Sequence, residues 1–196
     1  MRTPLTAIVS GAKLLKTANL SVEEQSEILS MIEKESLRLS KMDETLLLLT
    51  RLSTEKIEKT PFSAYDAAKE ASKIFEGVSL SGSDFTVYGD RELTIILLRN
   101  LIVNAIRAGG KDDVRLSLLK NGFSVTDTGC GMTEEEIDRA FEPFFKADKA
   151  RTRKSGGAGL GLSIVKKISE LHGGKVTIQS EKGKGSTVIY NLDTTV

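Results

Sequence analysis

The chain has 196 residues, of which 39% are hydrophobic and 28% charged, and 28 Lys+Arg against 27 Asp+Glu leave a formal net charge of +1. That composition supports a packed core and excludes intrinsic disorder, and near-neutrality excludes a global attraction to nucleic acid or to a membrane surface. The one cysteine, Cys130, excludes an internal disulfide framework and suits a reducing, cytoplasmic compartment, while Arg99, Asn100 and Asn104 interrupt the most apolar segment before it reaches membrane-spanning length.

Glycine divides the chain. Thirteen of the 17 glycines lie from Gly109 onward, and Gly11 alone precedes Gly77. Residues 1–58 therefore read as helix. Pro4 sits where a first-turn proline is tolerated, and Leu5, Ile8, Ala12 and Leu15 follow at 3-4-3 spacing. After a break at residues 17–20, Ser21 with Glu24 forms a capping box, and Ile28, Ile32, Leu39, Met42, Leu46 and Leu49 recur close to a heptad seam. Two antiparallel helices cannot enclose a core alone, so a second hairpin from another copy is expected to complete a four-helix bundle, the alternative being that the hairpin packs on its own C-terminal domain.

From residue 59 the pattern is mixed. Thr60–Phe62 reads as a short strand, and Ser63 can cap a helix running to about Phe75. Phe85–Tyr88 reads as a strand, and Asp90 as the cap of an amphipathic helix over 91–108. Strands are predicted at 114–119 and 123–126 around the turn Lys120-Asn121-Gly122. A helix over 163–171 is closed by His172-Gly173-Gly174, and a last hairpin joins 176–180 to 187–191. This order predicts helices layered on one face of a mixed sheet.

The chemistry gathers at glycine-rich turns that match neither the usual phosphate loop nor the dinucleotide turn. Asp127 follows a strand, where its carboxylate can accept from an exocyclic amine such as that of adenine. Gly129 and Gly131 beside it let backbone approach a flat ring. The same residues equally suit an ordinary Asp turn. Asn100 and Asn104 share one helical face, and amide oxygens are hard ligands of the kind magnesium takes beside phosphate. Core hydrogen bonding would explain them too. Arg107 can reach the same polyphosphate. Lys146, Lys149, Arg151, Arg153 and Lys154 lead into Ser155-Gly156-Gly157, which suits a cationic lid over a polyanion or an ordinary solvated face, and Phe141, Phe144 and Phe145 suit its base or simple core packing. The amides of Gly159, Leu160, Gly161 and Leu162 then open a helix, where anions are favoured. His172 reads as a structural helix-end residue and Cys130 as a small filler.

In this order the pieces resemble the catalytic region of bacterial two-component sensor histidine kinases. Asn100–Ala105 resembles the N box, Asp127–Gly131 the first glycine box, Phe141–Phe145 the F box, Gly157–Leu162 the second glycine box and Gly183–Thr187 the last glycine motif. The resemblance implies an α+β protein. Its N-terminal helical hairpin (1–58) would be half of a dimeric four-helix bundle, and a Bergerat-type α/β sandwich (59–196) would bind ATP. It implies ATP and Mg2+ as cofactors, with Asn104 the magnesium ligand and Asp127 the adenine anchor. Asn100, Arg107, Lys146, Arg151, Arg153, Gly157, Gly159, Leu160, Gly161, Leu162 and Thr187 would line the site. It also implies a homodimer, a response-regulator receiver partner and a cytoplasmic location, with a parent protein anchored in the inner membrane as one expected arrangement. Met1–Leu5 resembles the end of the family's His-Glu-x-Arg-Thr-Pro-Leu box. The phosphoacceptor histidine is then expected just before Met1, Thr3 falls at the position linked to phosphatase activity, and these 196 residues alone are not expected to autophosphorylate. A serine kinase of anti-sigma type and a non-kinase ATPase are the alternatives on this fold.

Overall fold

The structure, a computed structural model, describes residues 2–54, 57–109, 113–147 and 158–192, with the side chains of Arg2 and Thr3 outside the description. Helices α1 (Arg2–Thr17) and α2 (Val22–Thr54) form the expected hairpin. The Ser21 capping box closes the turn: the Glu24 N–H donates to Ser21 Oγ at 3.2 Å, and the Ser21 N–H donates to Glu24 Oε2 at 2.8 Å.

The α1 seam is rotated from the expected Leu5–Ile8–Ala12–Leu15 line. Pro4 and Gly11 are buried, Ile8 and Leu15 half-buried, and Leu5 and Ala12 exposed. Gly11 is the cause. A Cβ there would stand 2.9 Å from Met31 Cε and 3.2 Å from Ile28 Cγ2, so the helices touch most closely where a side chain is missing. Leu5, Val9 and Leu14 on α1, with Leu29, Leu37 and Leu47 on α2, remain exposed in the single copy.

The rest of the chain adds β1 (Thr60–Ser63), α3 (Ala64–Ser72), β2 (Val78–Ser81), β3 (Thr86–Gly89), α4 (Arg91–Gly109), β4 (Val114–Leu119) and β5 (Gly122–Asp127). It continues with α5 (Glu134–Arg139), α6 (Gly161–His172), β6 (Lys175–Glu181) and β7 (Gly185–Asn191). A five-stranded sheet of order β2-β4-β5-β7-β6 is antiparallel except for β2–β4, and β1 pairs with β3 as a separate ribbon. Helices α3, α4 and α6 cover one face of it. Ala64, Ala67, Ala68 and Ala71 let α3 lie close. Leu97, Leu98, Leu101 and Ile102 of α4 and Val165 and Ile168 of α6 meet Leu116, Phe123, Val125 and Tyr190 of the sheet. Leu48, Leu49 and Leu52 near the end of α2 join this core, which fastens the hairpin to the sandwich. The α+β architecture expected from the alternation is the one observed. Strand β2 and the short helix α5 are additions to the sequence reading.

His172 is structural in a specific way. The Asp90 N–H donates to its Nε2 at 2.9 Å, and its Nδ1 lies 2.9 Å from the Ile168 carbonyl. A backbone N–H can only donate, so Nε2 accepts and Nδ1–H donates to Ile168. The buried ring thus ties the end of α6 to the start of α4. His172→Ala is expected to lower unfolding stability by about 2–4 kcal/mol through a cavity and an orphaned Asp90 N–H, read as a lower denaturant midpoint.

Candidate functional site

Helix α4 carries the first set of groups. Asp90 caps it, its Oδ1 accepting from the Leu93 N–H at 3.0 Å. The Leu97–Ala105 face fills the core, and Asn100, Asn104 and Arg107 fall beside that face at helical spacing. Across from them α6 begins. A Cβ on Gly161 would lie 3.2 Å from both Asn104 Nδ2 and Oδ1 and 3.3 Å from Asn100 Oδ1, so glycine is what lets the two amides reach the backbone at this helix start. A cavity of about 420 Å³ opens here. Asn100, Asn104 and Arg107 form one wall, Gly159–Leu162 a second, and Phe145 with residues of α2 a third.

The two asparagines differ. Asn100 Nδ2 donates to the Ile96 carbonyl at 2.9 Å, which fixes the side chain on its own helix. Asn104 Nδ2 is buried with no partner. At the start of α6, Leu160 provides no side-chain cap, so the first-turn amides of a 12-residue helix face the cavity uncapped. Half-buried Lys146 completes the cationic end. Burial first, then the neighbouring charges of Arg38 and Arg107, hold its ammonium below the ordinary lysine value, with Glu35 opposing.

The other end is built on Asp127. Its carboxylate is buried at 6% exposure, accepts from the Gly129 N–H at 2.8 Å and from the Ser186 N–H, and is held above the ordinary aspartate value by burial against those two hydrogen bonds. Asp127 does not line the 420 Å³ cavity. It is joined to it through α4, because the Cys130 N–H donates to the Ala108 carbonyl at 3.3 Å. A Cβ on Gly129 would overlap that Ala108 peptide, and one on Gly131 the Glu181 carbonyl. Both glycines thus admit the protein's own backbone, a tighter demand than approach to a ring.

Thr187 is not brought to Asp127. It pairs with Thr126 on the opposite face of the sheet, the two hydroxyls 3.0 Å apart. The residue directly across from Asp127 is Ser186, buried, whose Oγ lies 2.8 Å from Ser180 Oγ. Ser180 Oγ in turn accepts from the Met132 N–H at 2.8 Å, which pins the loop after Asp127. Ser180 and Ser186 were legible from strand parity but not from the glycine motif. Of the phenylalanines, Phe145 lies under the Arg139 guanidinium at 4.6 Å, and the Phe144 N–H donates to the Gly159 carbonyl at 2.8 Å. Phe144 is 47% exposed, so it is joined to the start of α6 through its backbone and not as a core residue. The Thr3 side chain, Lys149, Arg151, Arg153, Lys154 and Gly157 lie outside the described residues.

Residues 89–196 match the family described as histidine kinase-, DNA gyrase B-, and HSP90-like ATPase, and residues 1–55 match the His Kinase A (phospho-acceptor) domain. The chain belongs to the sensor histidine kinases of that ATPase family. The sensor histidine kinase YkoH of Bacillus subtilis is 33% identical over 202 residues, covering 96% of this chain and 44% of YkoH. The full-length ShkA crystal structure in complex with AMPPNP superposes with a TM-score of 0.69 at 27% identity, covering 97% of this chain and 43% of ShkA. The Acinetobacter baumannii histidine kinase AdeS shares the fold at a TM-score of 0.72, 21% identity and 98% coverage of this chain against 96% of AdeS. The chain spans less than half the length of YkoH, and among its described residues no helix is long and apolar enough to cross a membrane.

Proposed function

We propose that this chain is the ATP-dependent core of a protein histidine kinase, which binds Mg-ATP and passes the γ-phosphoryl group to a histidine nitrogen and then to a response-regulator aspartate. The observation that carries this reading is the cavity that gathers Asn100, Asn104, Arg107 and the first turn of α6 against the hairpin, with Lys146 near the Arg107 charge. Neutral amides, backbone donors and cations around one void suit a polyanion. Asp127 supplies the acceptor for adenine's amine at the far end of the same helix. Support for ATP itself comes from the family match and from the AMPPNP complex of ShkA.

The residues present fit magnesium in one particular way. Among the described residues no group of three His, Cys, Asp or Glu side chains could hold a metal. Asn104 has a buried, unpartnered amide nitrogen, and its Oδ1 is the kind of hard oxygen that magnesium takes. Such a donor set suits an ion that arrives with phosphate oxygens and waters, for which Asn104 adds one ligand. When bound, the ion would neutralise charge on the transferred phosphoryl. The protein's own part is positioning: Asn100 is fixed to α4, Arg107 and Lys146 bring positive charge, and the α6 amides orient the phosphates.

The exposed apolar faces of α1 and α2 are the surface on which a second copy would complete a four-helix bundle, in the cytoplasm. His172, the one histidine of the sequence, is buried with both ring nitrogens engaged, so it is no acceptor. Incubated with radiolabelled ATP and magnesium, the 196-residue chain is expected to remain unlabelled. The same chain, extended before Met1 by a helical segment ending in His-Glu, is expected to gain acid-labile, base-stable label. Label on the 196-residue chain, or none on the extended one, would refute the proposal.

A further inference from the structure

The third wall of the cavity belongs to the hairpin. Arg38, Lys41, Met42 and Thr45 of α2 stand at i, i+3, i+4 and i+7, one helical stripe, and all four line the void shared with Asn104 and Arg107. Met42 is buried there, Arg38 and Thr45 are half-buried and Lys41 is exposed, so the stripe packs along one side and keeps a solvated cation on the other. Lys146, on a different segment, sits close enough to feel the Arg38 charge. Four cations thus line one void, Arg38 and Lys41 of α2 with Arg99 and Arg107 of α4, and Lys146 lies near enough to feel Arg38 and Arg107. Glu35, one turn back on α2, holds Arg38 Nη1 with its Oε2 at 3.3 Å and opposes the effect of these cations on Lys146. Like charges gathered from three separate elements raise the energy of the chain until an anion enters among them.

The hairpin register adds a second, independent observation. Gly11 of α1 faces Ile28 and Ile32 of α2. Running nine residues back along α1 and nine forward along α2 brings the first turn of α1 beside residues 37–41. Arg38 and Lys41 therefore stand between the cavity and the first turn of α1.

We propose that Arg38 and Lys41 of α2 bind the terminal phosphate of the nucleotide, so that the hairpin completes the nucleotide site from across the cavity. The inference rests on the Mg-ATP reading and adds two residues and a consequence to it. Affinity for a triphosphate depends on where the hairpin sits, whereas affinity for nucleotides lacking the third phosphate does not. Glu35 acts as a placeholder anion that releases Arg38 when phosphate arrives.

The test is calorimetric titration of the full chain with ATP and with ADP, both with magnesium. The double variant Arg38→Gln/Lys41→Gln is expected to weaken ATP binding roughly tenfold while changing ADP binding less than about threefold, the loss of charge-assisted contacts to one phosphate. Glu35→Gln is expected to tighten ATP binding, an opposite sign that a merely misfolded variant cannot give. Unaltered ATP affinity in the double variant, or an equal loss for ADP, overturns the inference and leaves the Mg-ATP reading standing. A wild-type chain that binds neither nucleotide overturns both.

Discussion

Replacing Asp127 with asparagine is expected to reduce ATP affinity by about two orders of magnitude while changing stability at neutral pH by only about 1 kcal/mol or less. The two effects separate because of what the carboxylate faces. One side of it accepts from the Gly129 and Ser186 N–H groups. An asparagine must aim its oxygen at those two donors, and its NH2 then points where adenine's amine would arrive, donor against donor. Burial holds the folded Asp127 pKa above its unfolded value. The stabilising contribution of such a group is fully present below the unfolded pKa and is lost as pH rises through the folded one. Above that window the wild-type chain carries a buried charge that asparagine does not. Melting curves from pH 4 to pH 8 should therefore show Asp127→Asn gaining on the wild type as pH rises, and titration calorimetry reads the binding loss. A variant that binds ATP normally, or that loses ground with rising pH, would contradict the role given to Asp127.

Features that depend on neighbours in sequence were legible before any coordinates. The Ser21–Glu24 box, the Ser63 and Asp90 caps and the Gly173 helix stop all occur where local chemistry puts them. Groups brought together by pairing across the chain were harder to read. Strand β2 has four residues between Gly77 and Gly82, too few for alternation to register, and it exists because β4 pairs with it in parallel. The exchange of Thr187 for Ser186 is a parity effect: neighbouring residues on a strand face opposite sides, so a one-residue shift in reading the motif moves the hydroxyl off the site. Gly129 and Gly131 were singled out rightly as positions without room for a side chain, but the occupants of that room are Ala108 and Glu181. The cavity wall made by α2 had no local signature at all. Arg38 and Lys41 look like solvated helix charges until the hairpin is docked on the sandwich by Leu48, Leu49 and Leu52.

Asn104→Ala should give the larger loss of phosphotransfer. Asn104 sits against Gly161 in the cavity wall, and its Nδ2 is buried without a partner. An unpaired buried amide costs about 1–3 kcal/mol, so removing it should leave unfolding stability unchanged or slightly higher. A residue kept only for packing would behave in the reverse way, since truncating a packed side chain opens a void and lowers stability. If Asn104 Oδ1 contributes to holding a divalent ion against the phosphates, alanine should slow phosphotransfer to an acceptor histidine by about 100- to 1,000-fold, the range seen when one preorganised charge-stabilising group is lost. Binding supplies a second readout. The alanine variant should bind ATP more weakly than wild type when magnesium is present and equally well when it is chelated, because Asp127, proposed to take adenine, and the cations are untouched. An equal loss with and without magnesium would instead make Asn104 a direct nucleotide contact. The unpaired amide at the junction of α4 and α6 would then be satisfied by the phosphate itself.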